Sequence, residues 1–357
     1  MRLRLEHGRR DDLESLHPAY FALVMATGIV AIATDVHGVP VLPKVLFWLN
    51  ALFLAGLAAA TGARIVRYPR AFLADIQSHS RGVGFFTTVA ATATFGAQLV
   101  LQMQAAGLAE AFWIAAAALW FVTIYGVFAV LTVKAEKPSL AEGLNGAWLV
   151  SAVASQAVAM LTVLISAAGV LPGLERPLLF AALVLWLGGG ALYLWIVTLI
   201  LFRYTFTQMA PQDLVPSYWI NMGAVAISAL AGATLIEHAA LSQDIAGLAR
   251  FVTGFTVFYW AVATWWIPML LVLGVWRYLI SGVPLAYDPV YWGGVFPLGM
   301  YSVSTYHVAK VLSAPFLLPL SELFMVVAVL AWMAAFVGLI DSRLNGTGRA
   351  LPSGDAR

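Results

Sequence analysis

Hydroxyl side chains recur at four-residue intervals inside stretches that are otherwise apolar. Thr88, Thr92 and Gly96 form one row, Ser151, Ser155 and Ala159 a second, and Ala224, Ser228 and Gly232 a third. At about 3.6 residues per turn each row lies on one face of a helix. A lining of hydroxyls can replace part of the hydration of a passing solute. The same rows also read as small-residue grooves that let membrane helices pack closely. Thr27, Asn221, Ser302 and Thr305 lie on stretches of the same texture and complete the set of candidate lining residues.

A second constellation is the run Tyr291-Trp292-Gly293-Gly294-Val295-Phe296-Pro297-Leu298-Gly299. Pro297 removes a backbone donor and kinks the helix that carries it. Phe296 either points into a lumen and closes it by steric block and dewetting, or simply packs at the kink. Asp35, Glu237 and His307 stand toward one end of their stretches. They either meet at an outer mouth, where a proton-coupled carrier would need a titratable group, or are three solvated residues at helix ends. Arg203 and Arg277 either draw anions toward the opposite mouth or anchor the topology.

Other chemistry is missing. The six His form no His-x-x-x-His pair and Cys is absent, so neither a metal-ligand spacing nor thiol catalysis is present. The sequence holds no Gly-x-Ser-x-Gly elbow and no phosphate-cradling Gly loop before Lys-Ser/Thr. An enzyme is not expected, nor a cofactor, a metal or a nucleic-acid partner. A neutral lining without acidic rings suits anions better than cations.

The elements that must position these residues follow from composition. The chain of 357 residues is 62% hydrophobic and 10% charged, which a soluble fold of this size could not cover. Ten stretches of membrane-crossing length fall near 18–37, 45–64, 82–103, 109–133, 146–169, 177–202, 218–239, 251–276, 289–310 and 317–341. The expected organisation is a tail over 1–17, a ten-helix domain over 18–341 and a second tail over 342–357. All but four of the 19 Lys and Arg (Lys44, Arg176, Arg250 and Lys310) fall on the side that holds both termini. The positive-inside rule makes that side cytoplasmic. A lipid bilayer is the implied surrounding.

The stretches alternate in texture. In matched windows of twenty residues, the odd-numbered ones hold 17 Ser, Thr, Asn and Gln against seven in the even-numbered ones, while Trp runs three against nine. Polar groups are costly against lipid, so the odd helices belong inside and the even ones outside. The expected fold is all-α and integral to the membrane: five hairpins, with odd helices lining a central pore and even helices in an outer ring. Such internal repetition is common in transporters.

Four segments resemble the tellurite-resistance/C4-dicarboxylate transporter family, which includes malate and sulfite transporters and the slow-type anion channels of plant guard cells. They are the run from Phe21 to Val30, the connector from Tyr68 to Asp75, the run from Trp219 to Ala224, and the run around Phe296. The resemblance implies ten helices about a quasi-fivefold axis, a homotrimer with one pore per subunit, and Phe296 before Pro297 as the gating phenylalanine. The chain departs from the plant channels at Gly293, Gly294 and Val295, where those carry an aromatic and hydroxyl residues. The implied function is passage of small anions across an inner (plasma) membrane: C4-dicarboxylates such as malate and succinate, or oxyanions such as tellurite and sulfite. A proton-coupled dicarboxylate carrier working by alternating access is the alternative. The connector from Tyr68 to His79 reads as an ordinary linker, the alternative being a short amphipathic segment on the cytoplasmic surface that contacts the pore entrance.

Overall fold

The computed structural model describes residues 12–285 and 287–344. Most of both tails, with Arg2, Arg4, Arg9, Arg10, Arg349 and Arg357, lies outside the described residues. The described residues form twelve α-helices: α1 (Ala22–Val36), α2 (Leu42–Arg67), α3 (Pro69–Ile76), α4 (Phe86–Leu101), α5 (Ala106–Val133), α6 (Leu140–Gly143), α7 (Val150–Ala167), α8 (Glu175–Phe206), α9 (Ile220–Glu237), α10 (Gln243–Val275), α11 (Trp292–Val311) and α12 (Leu318–Leu344). No strand occurs among the described residues. This is the expected all-α membrane architecture.

Among the described residues, nine helices are long and apolar enough to cross a membrane. The tenth expected span is α11, which is 20 residues long. Three glycines, Pro297, His307 and Lys310 lower its hydropathy relative to the others. It is nonetheless an interior element, with Phe296 at 1% exposure and Tyr301 at 0%.

The two textures separate by burial. The most apolar windows of the spans containing α1, α4, α7 and α9 are 78–100% buried, and those of α2, α5, α8, α10 and α12 only 17–44%. The inner helices close a ring in which α1 packs on α4, α4 on α7, α7 on α9, α9 on α11 and α11 back on α1. The outer helices fill the grooves of that ring: α2 lies on α1 and α4, α5 on α4 and α7, α8 on α7 and α9, α10 on α9 and α11, and α12 on α11 and α1. Each outer helix thus packs on its own hairpin partner and on the inner helix of the next hairpin, around a full cycle.

The repetition extends to the helix starts. Each inner helix opens with a 3₁₀ turn: Pro18–Phe21, Gly82–Phe85, Gly146–Leu149, Pro216–Trp219 and Pro289–Tyr291. The side chains of His17, Asn145 and Asp288 accept from the backbone N–H two residues on and so satisfy one of the orphan donors there. The connector after α2 is not an ordinary linker. It folds as α3, and Asp75 near its end is buried between Arg64 (2.7 Å) and Arg81 (2.5 Å). Two guanidiniums on one carboxylate justify burying that charge.

Candidate functional site

The inner hydroxyls and the outer tryptophans meet each other. Trp120 of α5 donates its indole N–H to Ser155 of α7 at 2.8 Å. Trp260 of α10 donates to Thr305 of α11 at 3.0 Å, and Trp332 of α12 to Thr27 of α1 at 3.0 Å. Trp186 of α8 donates to the Ser228 carbonyl of α9 at 2.8 Å. Each bond runs from an outer helix to the inner helix of the following hairpin. The fifth junction, α2 to α4, replaces indole and hydroxyl with amides: Asn50 Nδ2 donates to Gln98 Oε1 at 2.7 Å. An indole N–H has no acceptor in hydrocarbon, so a hydroxyl, carbonyl or amide on the inner helix removes that penalty. The result is a polar girdle between the two layers.

Several residues expected to line a pore take part in this girdle. Thr27, Ser155 and Thr305 face the outer layer, where their hydroxyls accept the indole protons. Ser302 exchanges hydrogen bonds with Ser321 of α12, donating to its carbonyl at 2.8 Å and accepting at its own carbonyl at 2.7 Å. Asn221 donates to Tyr204 of α8 at 3.0 Å. Thr88 borders a small hollow with Leu57, Thr61 and Arg64 of α2. Thr92, Ser151 and Ser228 bond to carbonyls of their own helices and share the faces of Thr88, Ser155 and Gly232. A Cβ at Gly232 would fall 2.9 Å from the Trp186 ring. The row ending at Gly232 therefore makes room for Trp186, while Gly96 lets Leu161 of α7 and Phe112 of α5 approach α4, both in the packing role.

What faces the centre of the ring follows from helical register. On α11 the outward face is marked by Tyr301, which stacks edge-on against Phe324 at 4.5 Å, and by Ser302 and Thr305. Phe296 lies nine residues before Thr305, about two and a half turns, and so on the opposite face. Met300, Val303 and His307 share its face. The corresponding faces elsewhere hold Ala22, Ala26, Ile29 and Ala33 on α1, Ala90, Ala93 and Ala97 on α4, Val150, Ala154 and Ala157 on α7, and Ile227 and Leu230 on α9. These are mostly small and apolar. Pro297 is accommodated within α11 by Gly223 of α9, where a Cβ would fall 2.7 Å from the proline Cγ.

The ring is shut. A water-wide passage would leave the side chains along it accessible, yet every residue from Val150 to Ser166 is buried, and Phe296 is 1% exposed.

At the end away from the chain termini, two of the three expected titratable groups meet. His307 Nδ1 lies 3.1 Å from both carboxylate oxygens of Glu237, and Lys310 Nζ lies 3.4 Å from one of them. Asp35 is exposed and no bond joins it to the other two. His37 joins this end without having stood out in the sequence. Its Nε2 lies 2.9 Å from the Ser321 hydroxyl, and its ring meets Tyr306 edge-on.

At the opposite end each outer helix closes its own hairpin with a basic side chain. Arg64 of α2 donates to the Glu14 carbonyl, Lys134 just beyond α5 to Gln77, Arg203 of α8 to Leu144, and Arg277, in a π-helical turn after α10, to Pro211 and Gln212. Arg343 of α12 lies within electrostatic reach of Tyr287. In the first four hairpins the hydrogen bond falls shortly before the inner helix begins. Arg203 and Arg277 are thus built into the hairpin bases rather than free at a mouth.

The family model described as SLAC1, voltage-dependent anion channel, matches residues 15–340. An uncharacterized membrane protein of Mycobacterium tuberculosis is 35% identical over 159 residues, covering 44% of this chain and 80% of that protein. An uncharacterized transporter of Methanocaldococcus jannaschii is 25% identical over 312 residues, covering 84% of this chain and 86% of its own length. A second transporter of the same organism, also uncharacterized, is 24% identical over 319 residues, with the same two shares.

Proposed function

The chain belongs to the voltage-dependent anion channel (SLAC1) family, and from that premise we propose that it passes small anions through the centre of the inner ring, with Phe296 as the gate. The observation that carries this reading is the register of α11. Phe296 sits on the face away from Tyr301, Ser302 and Thr305, which bind the outer layer, and that face is continued by mostly small apolar residues of the other inner helices. A narrow apolar axis conducts when wetted and is closed by one ring that excludes water. Pro297 and Gly223 supply the local give that moves the ring aside.

Anion preference is supported at the basic end. The five inner helices all start there, so their positive dipole ends converge, and the outer helices add Arg64, Lys134, Arg203, Arg277 and Arg343. We take this end as cytoplasmic, in an inner (plasma) membrane, with both termini inside. The substrates proposed are C4-dicarboxylates such as malate and succinate, or oxyanions such as tellurite and sulfite. A homotrimer is the assembly the family resemblance implies.

A second reading is favoured by one contact, the Glu237–His307 pair on the gate-bearing face of α11. A proton-coupled carrier would load its proton there. Proteoliposomes with separately imposed pH gradient and membrane potential decide between the two. In the gated-pore reading, Phe296→Ala raises potential-driven anion flux at least several-fold and leaves the fold intact. A variant that conducts no better than the parent removes the gate assignment. Saturable uptake that requires a pH gradient and is lost in Glu237→Gln establishes the carrier.

A further inference from the structure

Of the basic residues at the hairpin bases, Arg64 and Arg203 are buried, at 3% and 7% exposure. They differ in one respect. Arg64 has the Asp75 carboxylate at 2.7 Å. Arg203 has no carboxylate partner among the described residues; its Nη1 donates to the Leu144 carbonyl and to the Tyr218 hydroxyl, both neutral. The nearby Asp213 carboxylate is turned to the Ala210 N–H at 2.9 Å.

The guanidinium is therefore satisfied along one side only. Its Nε is buried without a partner among the described residues, and no hydrogen bond joins its Nη2 to them. These two nitrogens form the side-on edge of an arginine. The same edge is used twice elsewhere in this molecule. Arg81 grips Asp75 through Nε at 2.5 Å and Nη2 at 3.0 Å. Arg176 grips Asp244 through Nε at 2.7 Å and Nη2 at 3.1 Å. Two parallel N–H donors in that fork match the oxygens of an oxyanion. The Nη1 bonds and the Tyr218 ring, 5.9 Å from the guanidinium carbon, offset part of the cost of burying this cation, but no counter-charge does. Arg277 also leaves its Nε without a partner, but it is half-buried rather than buried.

We propose that Arg203 is an oxyanion-binding site, taking a carboxylate, sulfate or phosphate group through its Nε–Nη2 edge while Leu144 and Tyr218 hold Nη1. The site lies at the base of the third hairpin, where the segments leading into α7 and α9 meet α8. It stands apart from the inner axis and does not depend on the conduit reading. The group it takes is either a free anion or the phosphate of an anionic lipid headgroup.

The test uses the full chain purified in detergent, with melting followed during titration at constant ionic strength. One arm adds sulfate or malate in exchange for chloride. The other adds short-chain phosphatidylglycerol. The parent is expected to show a saturable rise in melting temperature. Arg203→Lys keeps the charge but lacks the fork, and its half-saturating concentration should rise about tenfold or more. Arg203→Gln should lose the saturable rise. A response to sulfate or malate identifies a free anion, and a response to the lipid alone identifies the headgroup. Should Arg203→Gln fail to fold, Arg203→Lys decides. If the parent shows no saturable shift with any probe, or Arg203→Lys titrates like the parent, the site does not exist. Anion flux in proteoliposomes is read separately, so loss of this site and loss of the transport reading are told apart.

Discussion

Replacing Thr27 by Val tests where the inner hydroxyls point. The side chains have nearly the same shape, so the change removes the acceptor for Trp332 without opening a cavity. Thr27 is 0% exposed and Trp332 8%, so the indole N–H stays in a place that water does not reach. An unsatisfied buried donor costs on the order of 1–3 kcal/mol. Coupling energies measured in membrane bundles average about 0.6 and reach about 1.7 kcal/mol. The expected loss is therefore about 1–2 kcal/mol, with a coupling of about 1 kcal/mol in a cycle with Trp332→Phe. Ser155→Ala and Thr305→Val should behave alike, through Trp120 and Trp260. Stability is read by unfolding the purified protein in mixed detergent micelles, and function by anion flux on the same preparations. The girdle predicts lower stability with unchanged anion selectivity. Changed selectivity with unchanged stability in Thr27→Val and Thr305→Val would refute the reasoning and return these hydroxyls to the axis.

Two further expectations concern the basic end. Asp75→Asn leaves Arg64 and Arg81 facing each other around a neutral amide, and both also hold carbonyls of Glu14, Ser15 and Leu16; a loss of about 2–4 kcal/mol is expected, with residues 14–16 becoming sensitive to limited proteolysis, and a variant as stable and as protected as the parent contradicts it. His17 is held down to about 4 by burial, with the Arg81 charge acting in the same direction, and its Nδ1 accepts the Ala19 N–H at 3.0 Å only while unprotonated. Because the folded pKa lies below the unfolded value near 6.5, this contribution is full above about pH 6.5 and is lost as pH falls toward 4. His17→Asn keeps an N-cap acceptor, so the stability profile between those limits should flatten, and an unchanged acid limb in melting curves speaks against the assignment.

Much of the architecture is legible in the chain. Membrane-length apolar stretches, the basic bias to one side and the alternation of hydroxyl-rich with Trp-rich stretches all follow from what a bilayer excludes. The hardest element was α11, whose glycines, proline and polar residues lower its hydropathy although it is interior. The connector helix α3 was also hidden, because the sequence does not say that Asp75 meets Arg64 eleven residues earlier and Arg81 six residues later. A signal for the girdle existed: Trp concentrated on even stretches and Ser or Thr on odd ones. Indole donors in one layer and hydroxyl acceptors in the other suggest pairing as readily as they suggest a polar pore.

The sequence by itself determined which helices are inner and which are outer, since burial of polar groups and exposure of apolar ones depend only on composition. It could not determine which way an inner helix turns its polar row. A row at four-residue spacing has a face but no direction, and in a two-layered ring both the axis and the outer layer offer partners. Only the tertiary structure decided that the indoles claim the hydroxyls of Thr27, Ser155 and Thr305. Only it could show a guanidinium without a counter-charge at Arg203, because pairing across hairpins is a property of distance, and the chain encodes distance solely through the fold.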